Sequence, residues 1–240
     1  MKMKFFCLEC DLPTIIETEI SEKNIYELTC NQGHKKNYIV QIQKFELLYE
    51  LAAYALLDGY TREAVSGFAV AVERLHEYCI QILLIKNSVS KENRDKTFKM
   101  VSRMSERQLG AFYYLYLNEF KEPPQPIPDT RMKFRNNVTH NGEIPTYEKT
   151  IEYAEYIFNY IIRLLKKIRS IENIDHYELE YYGDYQMPTV FMEETQKGNP
   201  PTGMCVISMI GTNRGNRDFS DKNFKIQFEQ LKERERWLYN

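Results

Sequence analysis

The chain has 240 residues, enough for one substantial core plus a smaller attached module. Hydrophobic residues make up 43% and charged residues 28%, the balance of a folded globular protein rather than a disordered or fibrous one. The formal net charge of −2 gives the molecule no general attraction for polyanions, so any nucleic-acid contact must come from a local patch.

The N-terminal string MKMKFFCLEC has no apolar h-region and no small-residue cleavage site, and no apolar run approaches the roughly 20 residues of a membrane span. The expectation is a cytoplasmic protein. Five cysteines are present and three cluster near the start. In a reducing compartment that pattern favours metal binding over disulfides.

Cys7 and Cys10 form a C-x2-C knuckle, and Cys30 and His34 form a C-x3-H knuckle. Strand-like positions from Ile20 to Thr29 lie between them, and Tyr38-Ile39-Val40 reads as a return strand. The spacing predicts a zinc ribbon over 1–42 with Cys7, Cys10, Cys30 and His34 as ligands. Gly33 suits the tight turn that aims the second pair at the metal. Four protein ligands leave no open position, so a structural zinc is expected rather than a catalytic one. A module of this size would draw much of its folding energy from the metal.

From about Gln43 the apolar spacing becomes helical. A first helix ends near Asp58-Gly59, and a second runs from Thr61 to about Ile85, with Cys79 on its apolar stripe as a core residue. Two shorter helices, broken near Ser105, fill Lys91 to Phe120. Pro123, Pro124, Pro126 and Pro128 then force an extended loop. Asp129 or Thr130 can cap the next helix, which should stop near Asn141-Gly142. Thr146 caps a last long helix with an apolar stripe from Ile151 to Ile168, and the helical period continues to about Ile174. The expectation for 43–174 is an all-α bundle.

After about Asp175 the helical period is expected to end. Tyr177–Tyr185 alternates weakly, Thr189–Met192 is β-prone, and Met204–Ile210 reads as a buried strand. Ser220 can cap a final helix with Phe224, Phe228 and Leu231 on one side, and Lys232–Arg236 reads as a solvated face. The polar loop Gly211–Arg217 carries two arginines and reads as a plain loop. The expected fold class is thus mainly α, with a small N-terminal β module and a short α+β segment over 175–240.

The string with the most chemistry is Arg135-Asn136-Asn137-Val138-Thr139-His140. Arginine is a permanent cation whose planar fork fits phosphate oxygens, and histidine exchanges protons near neutral pH. Five positions on a regular helix are about 140° apart, so the two side chains do not share a face. They can reach one ligand only where the helix ends between them or where a second copy of the chain contributes. His140 falls in the last turn, where the helix dipole favours a cation. A surface arginine and a capping histidine remain the plain alternative. Glu73 can orient Arg135, or form a solvated pair with its neighbour Arg74. His76 and His176 read as surface or structural residues.

The stretch Phe134–Gly142, with Pro145 and the helix from Thr146, resembles the signature of HEPN domains, in which R-x4-6-H carries Asn, Asp or His directly after the Arg. The segments Asp58–Ala64 and Val72–Leu75 are similar to bacterial HEPN-like proteins headed by a zinc ribbon. The resemblance covers about 43–174. It implies a HEPN-like helical bundle that dimerises, with the motifs of two protomers meeting in a composite cleft. It also implies a metal-independent endoribonuclease of toxin or anti-phage defence systems, needing no catalytic cofactor. By it, Arg135, Asn136 and His140 would carry catalysis, with His140 as general acid or base and Arg135 stabilising the phosphorane. The products would be a 2′,3′-cyclic phosphate and a 5′-hydroxyl. Toxins of this family paired with nucleotidyltransferase antitoxins show R-x4-H-x-Tyr; here position 142 is Gly, which argues against such a partner. Two other readings stay open: a non-catalytic module binding RNA, nucleotide or a partner protein, and a zinc-dependent enzyme.

Overall fold

The computed structural model describes residues 2–11, 14–20, 25–187, 193, 195–198, 200–205, 208–212, 219, 221–234, 236 and 238–239. Four strands come first: β1 (Lys2–Cys7), β2 (Thr14–Glu19), β3 (Ile25–Thr29) and β4 (Lys35–Gln41). β1 and β2 form one antiparallel hairpin, and β3 and β4 another. Met3, Phe5 and Cys7 alternate inward along β1, and Phe5 packs its ring against Tyr26 and Tyr38.

The helical body follows as α1 (Lys44–Leu57), α2 (Thr61–Lys86), α3 (Lys91–Val101), α4 (Ser105–Phe120), α5 (Asp129–His140) and α6 (Tyr147–Arg169). These bounds follow local signals. Gly59 takes a positive φ in the turn between α1 and α2. Ser90 caps α3 by accepting from the Asn93 amide, and Thr146 caps α6 by accepting from the Lys149 amide. α5 departs from expectation at its start. Pro128 holds the N-cap position, and Asp129 is the first helical residue, with no side-chain cap.

α2 is the axis of the bundle and packs against α1, α4, α5, α6 and the helix that follows α6. Gly67 lets α1 close on α2, because a Cβ there would lie 2.8 Å from the Ala52 Cβ. Tyr49 crosses from α1 to α6, where its hydroxyl donates to the Ala154 carbonyl at 2.9 Å. Among the described residues no helix is long and apolar enough to cross a membrane.

The segment after α6 differs from its expected weak alternation. Ile174–Tyr185 is a helix, α7, not strand or coil. Its helical period is written in tyrosines. Tyr177 and Tyr181 pack on the core, and the Tyr181 ring meets Tyr78 at 5.1 Å and Tyr185 at 5.1 Å. Arg94 of α3, fully buried, ties α7 down through Asp184 and Tyr185. Beyond it lie β5 (Thr202–Cys205), α8 (Phe224–Glu233) and β6 (Leu238–Tyr239). β5 pairs in parallel with β4, and β6 pairs antiparallel with β1. The chain's end therefore completes both N-terminal sheets, in the orders β2-β1-β6 and β3-β4-β5.

Three further expectations for this segment change. The apolar run Met204–Ile210 is not strand to its end: β5 covers Met204 and Cys205, whereas Ser208–Thr212 give their polar groups to two carboxylates of α1. α8 begins at Phe224 behind Asn223, whose side chain accepts from the Ile226 amide; Ser220, the expected cap, lies outside the described residues. So do Thr189–Met192 and most of the loop Gly211–Arg217. The charged run Lys232–Arg236 is not simply solvated, because Arg234 pairs with the buried Glu50 and Arg236 forks onto Asp58 at 2.7 and 2.8 Å.

Glu46 is the chief anchor of this tail. It is 1% exposed and accepts from the Gly211 amide at 2.9 Å, the Thr212 amide at 3.1 Å and the Ser208 and Thr212 hydroxyls. Glu50, one turn on, accepts from the Met209 amide at 3.0 Å. Hydrogen bonds to a buried charged acceptor contribute about 1.5–3 kcal/mol each, and orphaned donors cost a similar amount. Glu46→Ala is expected to lower unfolding stability by about 3 kcal/mol in urea and to speed hydrogen exchange at Gly211 and Thr212. Unchanged exchange at those amides would show that other contacts hold the segment.

Candidate functional site

Two constellations carry chemistry. The first lies at one end of the sheets. Cys7 ends β1, Cys10 sits in the turn that follows, and Cys30 and His34 flank the β3–β4 turn. That turn is closed by the Cys30 amide on the His34 carbonyl at 3.0 Å and the Gly33 amide on the Cys30 carbonyl at 2.9 Å, with Gly33 at φ 87°. The four donor atoms lie within 4.8 Å of one another. His34 Nδ1 is 3.4 Å from Cys10 Sγ, 3.6 Å from Cys30 Sγ and 3.8 Å from Cys7 Sγ, and the Cys10 and Cys30 sulfurs are 3.7 Å apart.

A tetrahedral zinc with its usual bond lengths sets sulfur–sulfur edges at about 3.8 Å and sulfur–nitrogen edges at about 3.5 Å. The observed edges fit that shell and name Nδ1 as the imidazole donor. Burial raises the Cys30 thiol, but hydrogen bonds from the Gln32 and His34 backbone outweigh it and hold the group down at about 7. The cluster is therefore compatible with a structural zinc.

The second constellation is on α5. That helix lies against α2 through Val138, which is fully buried, while Phe134 meets the ring of Tyr153 on α6 at 5.4 Å. Arg135 Nη2 donates to Glu73 Oε1 of α2 at 2.9 Å, and Nη1 donates to Asn136 Oδ1 at 3.0 Å. Both side chains of the ion pair are about three-quarters covered. Arg74 turns the other way, to Glu77 at 2.7 Å. The guanidinium is thus held in one orientation by a carboxylate from a neighbouring helix. His140 is the last residue of α5 and is exposed, followed by Asn141 as C-cap and Gly142 at φ 74°. Among the described residues no hydrogen bond links Arg135 and His140.

Arg135 and Glu73 instead share a cavity of about 300 Å³ between α2, α4, α5 and the proline loop. His140 is not among its lining residues; His76, Gln108, Tyr113 and Tyr153 are. Reading the sequence residue by residue missed these four. The signal was present for His76, which follows Glu73 by three positions and so shares its helix face. Of its two expected roles, surface or structural, it takes the structural one. It is 5% exposed, stacks on Phe112 at 4.7 Å, and its Nε2 is 2.6 Å from the Tyr160 hydroxyl.

Comparison with known proteins adds no name to these sites: no family model, curated protein or solved structure matches the chain.

Burial lowers His76 from the ordinary 6.5 to about 4, so the folded protein keeps it neutral. An unfolded histidine takes its proton as pH falls below 6.5, whereas the folded one resists until about 4. Stability from this residue is therefore full above pH 6.5 and is lost as pH falls towards 4, by about 3 kcal/mol in all. Urea unfolding of wild type and His76→Gln between pH 8 and 4 should show the wild type losing about that much more. Parallel curves would contradict the buried, neutral assignment.

Proposed function

We propose that the protein is a HEPN-type endoribonuclease that cleaves RNA without a catalytic metal, in a toxin or anti-phage defence setting. The observation that supports this most is the fixed guanidinium of Arg135, held by Glu73, flanked by Asn136 and lining a cavity, with an exposed histidine ending the same helix. Arginine so oriented can stabilise the charge that builds on phosphorane oxygens, and an accessible imidazole can move the protons.

In the reaction, the ribose 2′-oxygen attacks phosphorus, the bond to O5′ breaks, and the pair of electrons leaves with O5′. A base takes the 2′-proton and an acid supplies one to O5′, giving a 2′,3′-cyclic phosphate and a 5′-hydroxyl. His140 takes one of these proton roles. Because His140 lies outside the cavity of Arg135, a second copy of the chain supplies the other half, so the working form is a homodimer. The exposed Ile144 beside His140 suits a contact of that kind. Gly142 stands where a modifiable tyrosine would be needed for control by a nucleotidyltransferase antitoxin, so that partner is not proposed.

A second reading has its own support. Arg135 is already paired with Glu73, and His140 does not line its cavity, as a module that binds RNA or nucleotide without cutting would allow.

RNA cleavage by purified protein in a strong chelator, beside Arg135→Ala and His140→Ala, separates the two. The expected result is activity in wild type, a loss of at least about 100-fold in each variant, and cyclic-phosphate ends. No cleavage by wild type, or equal cleavage by all three, would remove the ribonuclease reading. RNA binding that survives His140→Ala but not Arg135→Ala would favour the second.

The metal at Cys7, Cys10, Cys30 and His34 is proposed to be zinc, with a structural role. Elemental analysis should find one zinc per chain in wild type and far less in Cys10→Ser. Stripping it should unfold β1–β4 while α2 and α6 stay helical by circular dichroism. A metal-free protein with an intact N-terminal module would contradict this.

A further inference from the structure

The cavity that holds Arg135 contains a feature the phosphate chemistry does not use. Gln108, in the first turns of α4, is 3% exposed and lines the cavity. Its Nε2 donates to the Ser102 carbonyl at 3.1 Å. A carbonyl can only accept, so this bond settles which amide atom is the nitrogen. Gln108 Oε1 is then a buried acceptor, and it has no hydrogen-bond partner among the described residues. An unpartnered buried acceptor is costly, and a turn of the Gln108 side chain towards the cavity it lines would offer Oε1 to a ligand's donor.

The walls suit a planar ring. Val72 of α2, Leu109 and Tyr113 of α4, Ile127 of the proline loop and Tyr153 of α6 supply apolar and aromatic surface. Behind them, His76 is pinned by its stack on Phe112 and its bond to Tyr160, so that wall is rigid. About 300 Å³ accommodates one base rather than a dinucleotide. Arg135 shares the cavity and presents a cation to a phosphate attached to that base.

We propose that this cavity is a nucleobase subsite for an amino-bearing base, adenine or cytosine, whose exocyclic amine donates to Gln108 Oε1 while its phosphate meets Arg135. In these two bases the pairing-edge donor is the exocyclic amine, whereas in uracil and hypoxanthine it is a ring N–H set beside a carbonyl. Hypoxanthine and uracil place a carbonyl where that amine would be, so two acceptors would face each other. The subsite rests on the ribonuclease reading only for why a phosphate sits at Arg135; base recognition needs neither cleavage nor His140. It assigns Gln108 a role in choosing which nucleotide is seated.

Calorimetric titration of the full-length wild type with AMP, CMP, IMP and UMP tests it. The expected result is that AMP binds at least about 10-fold tighter than IMP, or CMP at least about 10-fold tighter than UMP, the two arms telling adenine from cytosine. Gln108→Leu should erase that preference. Arg135→Ala should weaken the preferred monophosphate about 10-fold and leave its nucleoside unchanged. Equal affinity for all four nucleotides, or no binding of any at millimolar concentration, overturns the proposal. If Gln108→Leu does not fold, the wild-type AMP/IMP and CMP/UMP ratios decide alone. Cleavage without base preference would sink the subsite and spare the nuclease; base preference without cleavage would do the reverse.

Discussion

The burial of α2 is the constraint on which the rest of the molecule depends. This helix presents Ala64, Phe68, Ala71, Val72, Leu75, Cys79 and Leu83 to its neighbours, all 5% exposed or less. α1, α4, α5, α6 and α7 are placed by what they bury against it. Close packing at Gly67 brings α1 within backbone reach, and this in turn fixes Glu46 and Glu50 where they receive the C-terminal segment. On its other side, Glu73 and His76 stand one turn apart and form the wall on which α5 sets Arg135. One helix thus joins the anchoring of the tail to the shape of the candidate site.

The tail is a structural participant. Two carboxylates one turn apart on α1 gather the amides and hydroxyls of Ser208–Thr212, and Arg234 adds a cation to Glu50. Burying carboxylates is costly unless their lone pairs are used, and here the segment supplies the donors. The strands before and after it then run along β4 and β1. In this way the small N-terminal sheets gain edges covered by the far end of the chain, which blunts two exposed strand edges.

Much of this could be read from particular residues. The α1–α2 turn followed from Asp58-Gly59, the start of α6 from Thr146, and the end of α5 from Asn141-Gly142, because caps and turns are chosen by local backbone needs. The ligand cluster followed from knuckle spacing, since metal geometry restricts which residues can meet. What was hidden depended on distance in sequence. α7 escaped because its inward face is tyrosine rather than aliphatic, and its partner Arg94 lies far earlier in the chain. The Ser208–Thr212 latch escaped because nothing in that stretch signals two carboxylates on α1. The neighbourhood of Gln108 escaped for the same reason. Periodicity said that α4 was a helix but not which polar side chain would be enclosed against α5.

Arg135, oriented by Glu73, is proposed to be half of a phosphate site whose other half comes from a second copy of the chain. An experimental structure of the homodimer with a 2′-deoxy dinucleotide, which cannot form the cyclic product, tests it most directly. One phosphate is expected within hydrogen-bond distance of Arg135 and also within reach of His140 of the partner subunit. A monomer in solution, or a phosphate bound away from Arg135 with His140 facing solvent, would contradict it.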